Sequence, residues 1–153
     1  MTQKAVILAG GLGKRMRRDD PSAQPLSEQA ERLAGAGLKG LIPIRGRPFL
    51  DYVVGSLLEA GLRELCLVVP PDCEPLTRYA RRTGERAGAP ITCAVQQEPR
   101  GTADAVLAAH AFAGADPFVM CNCDNLSPAD ALAQLAAAKG NACYAAAFDR
   151  DEL

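Results

Sequence analysis

The residues best suited to chemistry begin close to the N-terminus. Leu8-Ala9-Gly10-Gly11-Leu12-Gly13-Lys14-Arg15-Met16 continues an apolar run, Ala5-Val6-Ile7-Leu8, that reads as a buried strand. Glycines remove side chains where the backbone must turn sharply, and a Lys and an Arg follow at once. Bare amides beside an ammonium and a guanidinium suit a phosphate-rich ligand, because they can share its negative charge. The same stretch also suits a plain strand–loop–helix junction with its basic residues in solvent. Two familiar glycine turns fail on spacing. A P-loop needs four residues between its glycines and a hydroxyl residue after the Lys; Gly10 to Gly13 is too short, and Arg15 stands where the hydroxyl should be. The dinucleotide turn needs a third glycine three residues after the second, and Met16 occupies that place.

Three more places carry groups of the right kind. Lys39 opens Lys39-Gly40-Leu41-Ile42-Pro43-Ile44-Arg45-Gly46-Arg47-Pro48. Gln96 begins Gln96-Gln97-Glu98-Pro99-Arg100-Gly101-Thr102-Ala103-Asp104-Ala105, and Asp124 sits in Cys123-Asp124-Asn125. Each has a bland alternative: Lys39 as a surface cation, Asp124 as a turn residue bonding backbone, and the only histidine, His110, as a helix-end residue rather than a catalyst.

The elements that must position these groups alternate between strand and helix, the pattern of an α/β sheet with crossover helices. Strands are expected at Lys4–Ala9, Glu64–Pro70, Ile91–Gln96, Pro117–Met120 and Cys143–Phe148. Helices are expected from Pro48 to about Ala60, closed by Gly61, and from an Asp72 cap to about Ala87. A third runs from Gly101-Thr102 to about Phe112, with Asp104 near its positive end. The last starts at Ser127 as N-cap, with Pro128 in the first position and Asp130 in the capping-box place. Arg17–Gly37, rich in Pro, Ser and charge, reads as a flexible insertion with a short helix over Leu26–Ala34. In an open parallel sheet, ligands bind beyond the carboxyl ends of the strands. The glycine turn, the Gln96–Ala105 turn and Asp124 all fall at such ends.

Composition narrows the class. The 153 residues suit one domain, long enough to bury roughly 70% of its unfolded surface without disulfides. Charge is nearly balanced, 17 Lys+Arg against 18 Asp+Glu, which gives no support for nucleic-acid or membrane binding. No apolar run approaches the ~20 residues of a membrane span. The first strand starts within a few residues of Met1, leaving no room for a signal peptide, so six cysteines read as reduced thiols in a cytoplasmic protein. Cys121-Asn122-Cys123 lacks the spacing of a zinc site.

Taken together, Leu8–Met16, Lys39-x-Leu41-x-Pro43-Ile44-x-Gly46-x-Pro48, Gln96–Ala105 and Cys123-Asp124-Asn125 resemble, in order and approximate spacing, the sugar-1-phosphate nucleotidylyltransferases. The resemblance covers nearly the whole chain. It implies a Rossmann-like three-layer sandwich with a mostly parallel sheet. It also implies transfer of a nucleoside monophosphate from a nucleoside triphosphate to a sugar 1-phosphate, with release of pyrophosphate. Carried over by position, Leu8, Ala9, Gly10 and Gly11 wrap the base and ribose. Gly13, Lys14 and Arg15 hold the triphosphate, with Arg15 on the departing pyrophosphate. Lys39 contacts the reacting phosphates, Gln96 and Gly101 contact the base with Thr102 nearby, and Asp124 binds Mg2+. Arg15, Lys39 and Asp124 are then the catalytic set.

The sequence departs from the family pattern in three ways. Leu38 replaces the usual Pro before the Lys, and Cys123 replaces the common Gly or Ser before the metal carboxylate. The family's second metal carboxylate and much of its sugar pocket belong to a further segment. Residues 1–153 are therefore expected to be the N-terminal, nucleotide-binding portion of the domain. A polyol phosphate, phosphocholine or a cofactor precursor remains open as acceptor, as does a non-catalytic nucleotide-binding or regulatory role.

Overall fold

A computed structural model describes residues 1–11 and 27–145 of the chain. Its centre is a four-stranded parallel sheet. Strand β1 (Lys4–Leu8) lies between β4 (Glu64–Val69) and β6 (Val119–Asn122), and β5 (Ile91–Val95) forms the far edge beside β4. The register places Ala5 opposite Leu65 on one side and Val119 on the other. A strand paired on both sides and covered on both faces has no solvent face to keep polar. Ala5, Val6 and Ile7 are accordingly fully buried.

Alternate residues of β1 supply two cores, as the two-residue period of a strand requires. Ala5 and Ile7, with Leu65, Leu67 and Val69 of β4, pack against Leu50, Val53 and Leu57 of α2 (Phe49–Glu59), Leu76 and Ala80 of α3 (Glu74–Ala87), and Leu132 and Ala136 of α6 (Ala129–Ala137). Val6 and Leu8, with Cys66 and Val68, pack on the opposite face against Ala105 of α4 (Thr102–Ala108), Ala109, and Phe112 of α5 (His110–Ala113). The result is three layers, helix–sheet–helix, as the alternation of elements predicts.

Several boundaries differ from the sequence reading. The fifth strand is not found over Cys143–Tyr144 or residue 145, and residues 146–148 lie outside the described segment. Pro48 occupies the N-cap of α2 rather than its first turn, because it closes β3 (Arg47–Pro48) of a small antiparallel hairpin with β2 (Pro43–Ile44). Arg45 and Gly46 both take positive φ in its two-residue turn, the conformation that matches strand twist. Asp72 does not cap α3. It lies at φ 53°, and Cys73 holds the N-cap position. The expected helix after Gly101 divides at Ala109 into α4 and α5. Helix α6 starts one residue late, with Pro128 as N-cap. The Ser127 carbonyl instead accepts from Ser56 Oγ at 2.7 Å, which ties α6 to α2.

Of the expected flexible insertion, Arg17–Leu26 lies outside the described residues. Within its remainder, Ser27 caps α1 (Glu28–Gly35), its hydroxyl accepting from the Ala30 amide at 3.3 Å. At the opposite end of the sheet from the candidate site, Lys4 donates to the carbonyls of Phe112 and Ala113 and pairs with Asp116 at 2.6 Å. A cation there satisfies the C-terminal carbonyls of α5.

Candidate active site

The four segments singled out in the sequence meet at the carboxyl ends of the parallel strands. Leu8 and Ala9 send their side chains into the cores on opposite faces of the sheet. Their backbones are held from both sides: the Ala9 amide donates to Val68 O at 2.9 Å, and the Cys123 amide donates to Leu8 O at 3.0 Å. The open part of the turn therefore begins at Gly10, which is half-buried, and Gly11, which is exposed. Gly13, Lys14 and Arg15 lie outside the described residues.

Gly10 meets Gln96. A Cβ built on Gly10 would lie 3.0 Å from Gln96 Oε1, so the glycine is what lets the amide sit against the turn. Gln96 extends the β5–β4 pairing by one residue, its amide N–H donating to Val69 O at 2.9 Å. Its side chain is one of two buried polar side chains among the described residues, 6% exposed, and buried amides need partners. Gln96 Nε2 donates to Gly101 O at 3.2 Å and to Asp104 Oδ2 at 2.8 Å. Gly101 bends the chain back at φ +111°, where a side chain would be strained, and Thr102 follows as the exposed first residue of α4.

Lys39 and Asp124 meet on another side of the turn. Lys39 starts a 3-10 turn, Lys39–Leu41, held by the Ile42 amide donating to Lys39 O at 3.0 Å. Its ammonium lies 3.8 Å from Asp124 Oδ2. The Lys39 side chain is only 14% exposed, whereas Asp124 is 44% exposed. The carboxylate therefore keeps a face open to a further ligand. The turn sits close to the glycine loop: a Cβ on Gly37 would lie 3.6 Å from Gly11 O.

Gly40 is buried, and a Cβ there would lie 3.3 Å from Cys123 Cβ and 3.4 Å from its Sγ. The missing side chain is what brings Lys39 up to the strand end. Gly40→Ala is expected to cost about 1–3 kcal/mol of stability, the usual range for overpacking. Pairing it with Cys123→Gly should recover part of that loss, because the crowding atoms are then gone. Urea denaturation of the single and double variants measures the coupling, and strictly additive losses would show that the two positions do not crowd one another.

Burial pushes the Cys121 thiol up to about 12, with the neighbouring Cys123 adding to it. Burial likewise raises Cys123 to about 11, helped by the Asp124 charge. Both remain protonated at neutral pH and pack as small apolar groups in or against the larger core. The six cysteines are free thiols. The Arg-rich face of α3 is solvated: Arg78 pairs with Glu74, and Arg86 with Asp51 at 3.0 Å. Among the described residues no helix is long and apolar enough to cross a membrane.

One residue of this arrangement escapes a sequence reading. Asp104 in the first turn of a helix is accounted for by the helix dipole alone. Nothing in its spacing says that its carboxylate turns back to a buried amide eight residues earlier.

A parallel sheet of this kind offers its ligand sites at the carboxyl strand ends, and comparison with known proteins sets the chain among the α/β nucleotidyltransferases. It belongs to the family of MobA-like NTP transferase domains, whose pattern matches residues 5–152. The glucose-1-phosphate thymidylyltransferase of Streptomyces antibioticus is 34% identical over 122 residues, covering 80% of this chain and 30% of that protein. The enzyme of the same name from Xanthomonas campestris pv. campestris is 32% identical over 127 residues, covering 82% of this chain and 38% of that protein. The chain thus spans 30 to 38% of the length of these curated relatives. A crystal structure of UDP-glucose pyrophosphorylase complexed with UDP-glucose superposes with a TM-score of 0.65 at 20% identity, over 90% of this chain and 53% of that one. The family and the fold are those that the four motifs led us to expect.

Proposed function

We propose that the chain is the nucleotide-binding portion of a cytoplasmic enzyme that transfers a nucleoside monophosphate from a nucleoside triphosphate to a sugar 1-phosphate, releasing pyrophosphate. The observation that carries this reading is the placement of two unlike groups beside one glycine turn: the buried Gln96 amide against Gly10, and the Lys39–Asp124 pair 3.8 Å apart. An amide suits a base edge. A sheltered cation beside an open carboxylate suits phosphates and a metal ion.

The chemistry makes modest demands on the protein. Attack by a sugar phosphate on the α-phosphorus brings two anions together, so the work is in-line positioning and charge neutralisation. In this reading Lys39 offers a preorganised positive charge to the reacting phosphates, where an oriented charge in a sheltered site does most. Gly10 and Gly11 leave backbone, not side chain, along the ligand. Gly13, Lys14 and Arg15 would hold the triphosphate, with Arg15 on the departing pyrophosphate. Asp124 has the chemistry of a Mg2+ ligand: a hard oxygen donor, half-exposed, whose ion would take its remaining donors from water and substrate phosphates. When bound, Mg2+ would add neutralising charge to the phosphates.

The full-length protein should bind nucleoside triphosphates in calorimetry and release pyrophosphate only when a sugar 1-phosphate is also present. Omission of Mg2+ should abolish release. A folded protein that binds no nucleoside triphosphate would overturn the pocket reading. Binding without pyrophosphate release, across a panel of sugar and polyol phosphates, would make it a non-catalytic nucleotide-binding module.

A further inference from the structure

We propose that Asp104 is a positioning residue that fixes which way round the Gln96 amide faces the nucleotide, and so selects a base presenting a ring N–H. The proposal rests on the reading above that Gln96 meets the base.

The argument is a count of donors and acceptors. A glutamine amide has two N–H donors on Nε2 and one acceptor, Oε1. Both donors are engaged, with Gly101 O at 3.2 Å and Asp104 Oδ2 at 2.8 Å. Both partners are acceptors only, since a main-chain carbonyl and a carboxylate carry no proton to give. Turning the amide over would set Oε1 against two oxygens and forfeit both hydrogen bonds. The orientation of an amide is commonly open to question, but these two partners allow one choice. The charge on Asp104 strengthens its hydrogen bond beyond that of a neutral partner.

What remains for a ligand is Oε1. It faces Gly10, 3.0 Å from where a Cβ would stand, and no donor among the described residues reaches it. The Gln96 side chain can therefore accept from the nucleotide but not donate to it. Uracil, thymine, guanine and hypoxanthine carry a ring N–H on the pairing edge. Cytosine and adenine carry a bare ring nitrogen there, which would meet Oε1 acceptor to acceptor unless the base shifted to offer its neighbouring exocyclic amine. A buried polar group that meets the wrong partner discriminates more sharply than any apolar contact.

Two matched pairs isolate this edge, UTP against CTP and ITP against ATP. Within each pair only the ring N–H with its carbonyl, or the bare nitrogen with its amine, is exchanged. Dissociation constants for all four are measured by calorimetry on the full-length protein, its Asp104→Asn variant and its Asp104→Ala variant, with thermal unfolding to establish that each is folded. The wild type should prefer the N–H-bearing member of the pair whose ring it accommodates.

In Asp104→Asn the carboxylate gives way to an amide that can accept through its oxygen or donate through its nitrogen, so Gln96 is free to present either end. That preference should fall about tenfold in Asp104→Asn, the equivalent of one hydrogen bond. The alanine variant, left with Gly101 O alone, should fall in the same direction. A wild-type preference for CTP and ATP would overturn the proposal. So would folded variants that lose affinity equally for both members of a pair, since a merely structural Asp104 would do that. Wild-type protein that binds no triphosphate overturns the pocket reading and this proposal with it; the other outcomes overturn this proposal alone.

Discussion

Lys39→Ala should lower turnover by about 100-fold or more, comparable to removing one preorganised donor from a developing charge. Its ammonium is already in place. The 3-10 turn and the Gly40–Cys123 approach bring it to the strand end, and its side chain is largely sheltered from water. A sheltered charge interacts with phosphate more strongly than a hydrated one, and it needs no reorganisation when the five-coordinate transition state forms. The loss should appear equally in kcat and kcat/KM, the signature of an interaction made in the transition state. A loss confined to KM would reassign Lys39 to ground-state binding. Lys39→Arg should recover only part of the activity, because a planar guanidinium does not occupy the space of a compact ammonium. Turnover within about threefold of wild type in Lys39→Ala would remove this residue from the mechanism.

Arg15→Ala should also reduce turnover by roughly 100-fold or more. In the sequence its guanidinium follows directly after Gly13-Lys14 in the glycine-rich stretch. The planar fork of Arg can take two oxygens of one phosphate group at once, which suits a pyrophosphate gathering charge as it departs. Microscopic reversibility supplies a second readout. Pyrophosphorolysis of the nucleotide sugar should fall by the same factor as synthesis. Arg15→Lys should restore little, since a point charge lacks the bidentate geometry. Unchanged turnover at saturating substrates would exclude Arg15 from the transition state.

Much of this arrangement is legible in the amino-acid order because local physics writes it there. Ala5-Val6-Ile7-Leu8 and Leu65-Cys66-Leu67-Val68-Val69 are continuous apolar runs, and only a strand covered on both faces has use for one. Gly10 marks where the backbone passes too close to another side chain to carry its own, and Gly101 marks a φ that a side chain would resist. Helix ends were less legible. Ser127-Pro128-Ala129-Asp130 satisfies a capping pattern on paper, yet α6 starts one residue later with the Ser127 carbonyl bonded to Ser56. Capping rules weigh groups near in sequence, and Ser56 is 71 residues away.

By itself the sequence determined the α/β class, the strands of the central sheet and the residue types available for chemistry at their ends. It also determined that Gly10, Gln96 and Asp124 stand at the carboxyl ends of those strands, while Lys39 was placed only by its motif. Only the tertiary structure decided how these groups pair. It set Lys39 against Asp124, Gly10 against Gln96, and the Asp104 carboxylate on the Gln96 amide. The reason is that these approaches depend on parallel strand order, with β1 between β4 and β6. Strand order is set by packing across the whole sheet, which no local propensity encodes.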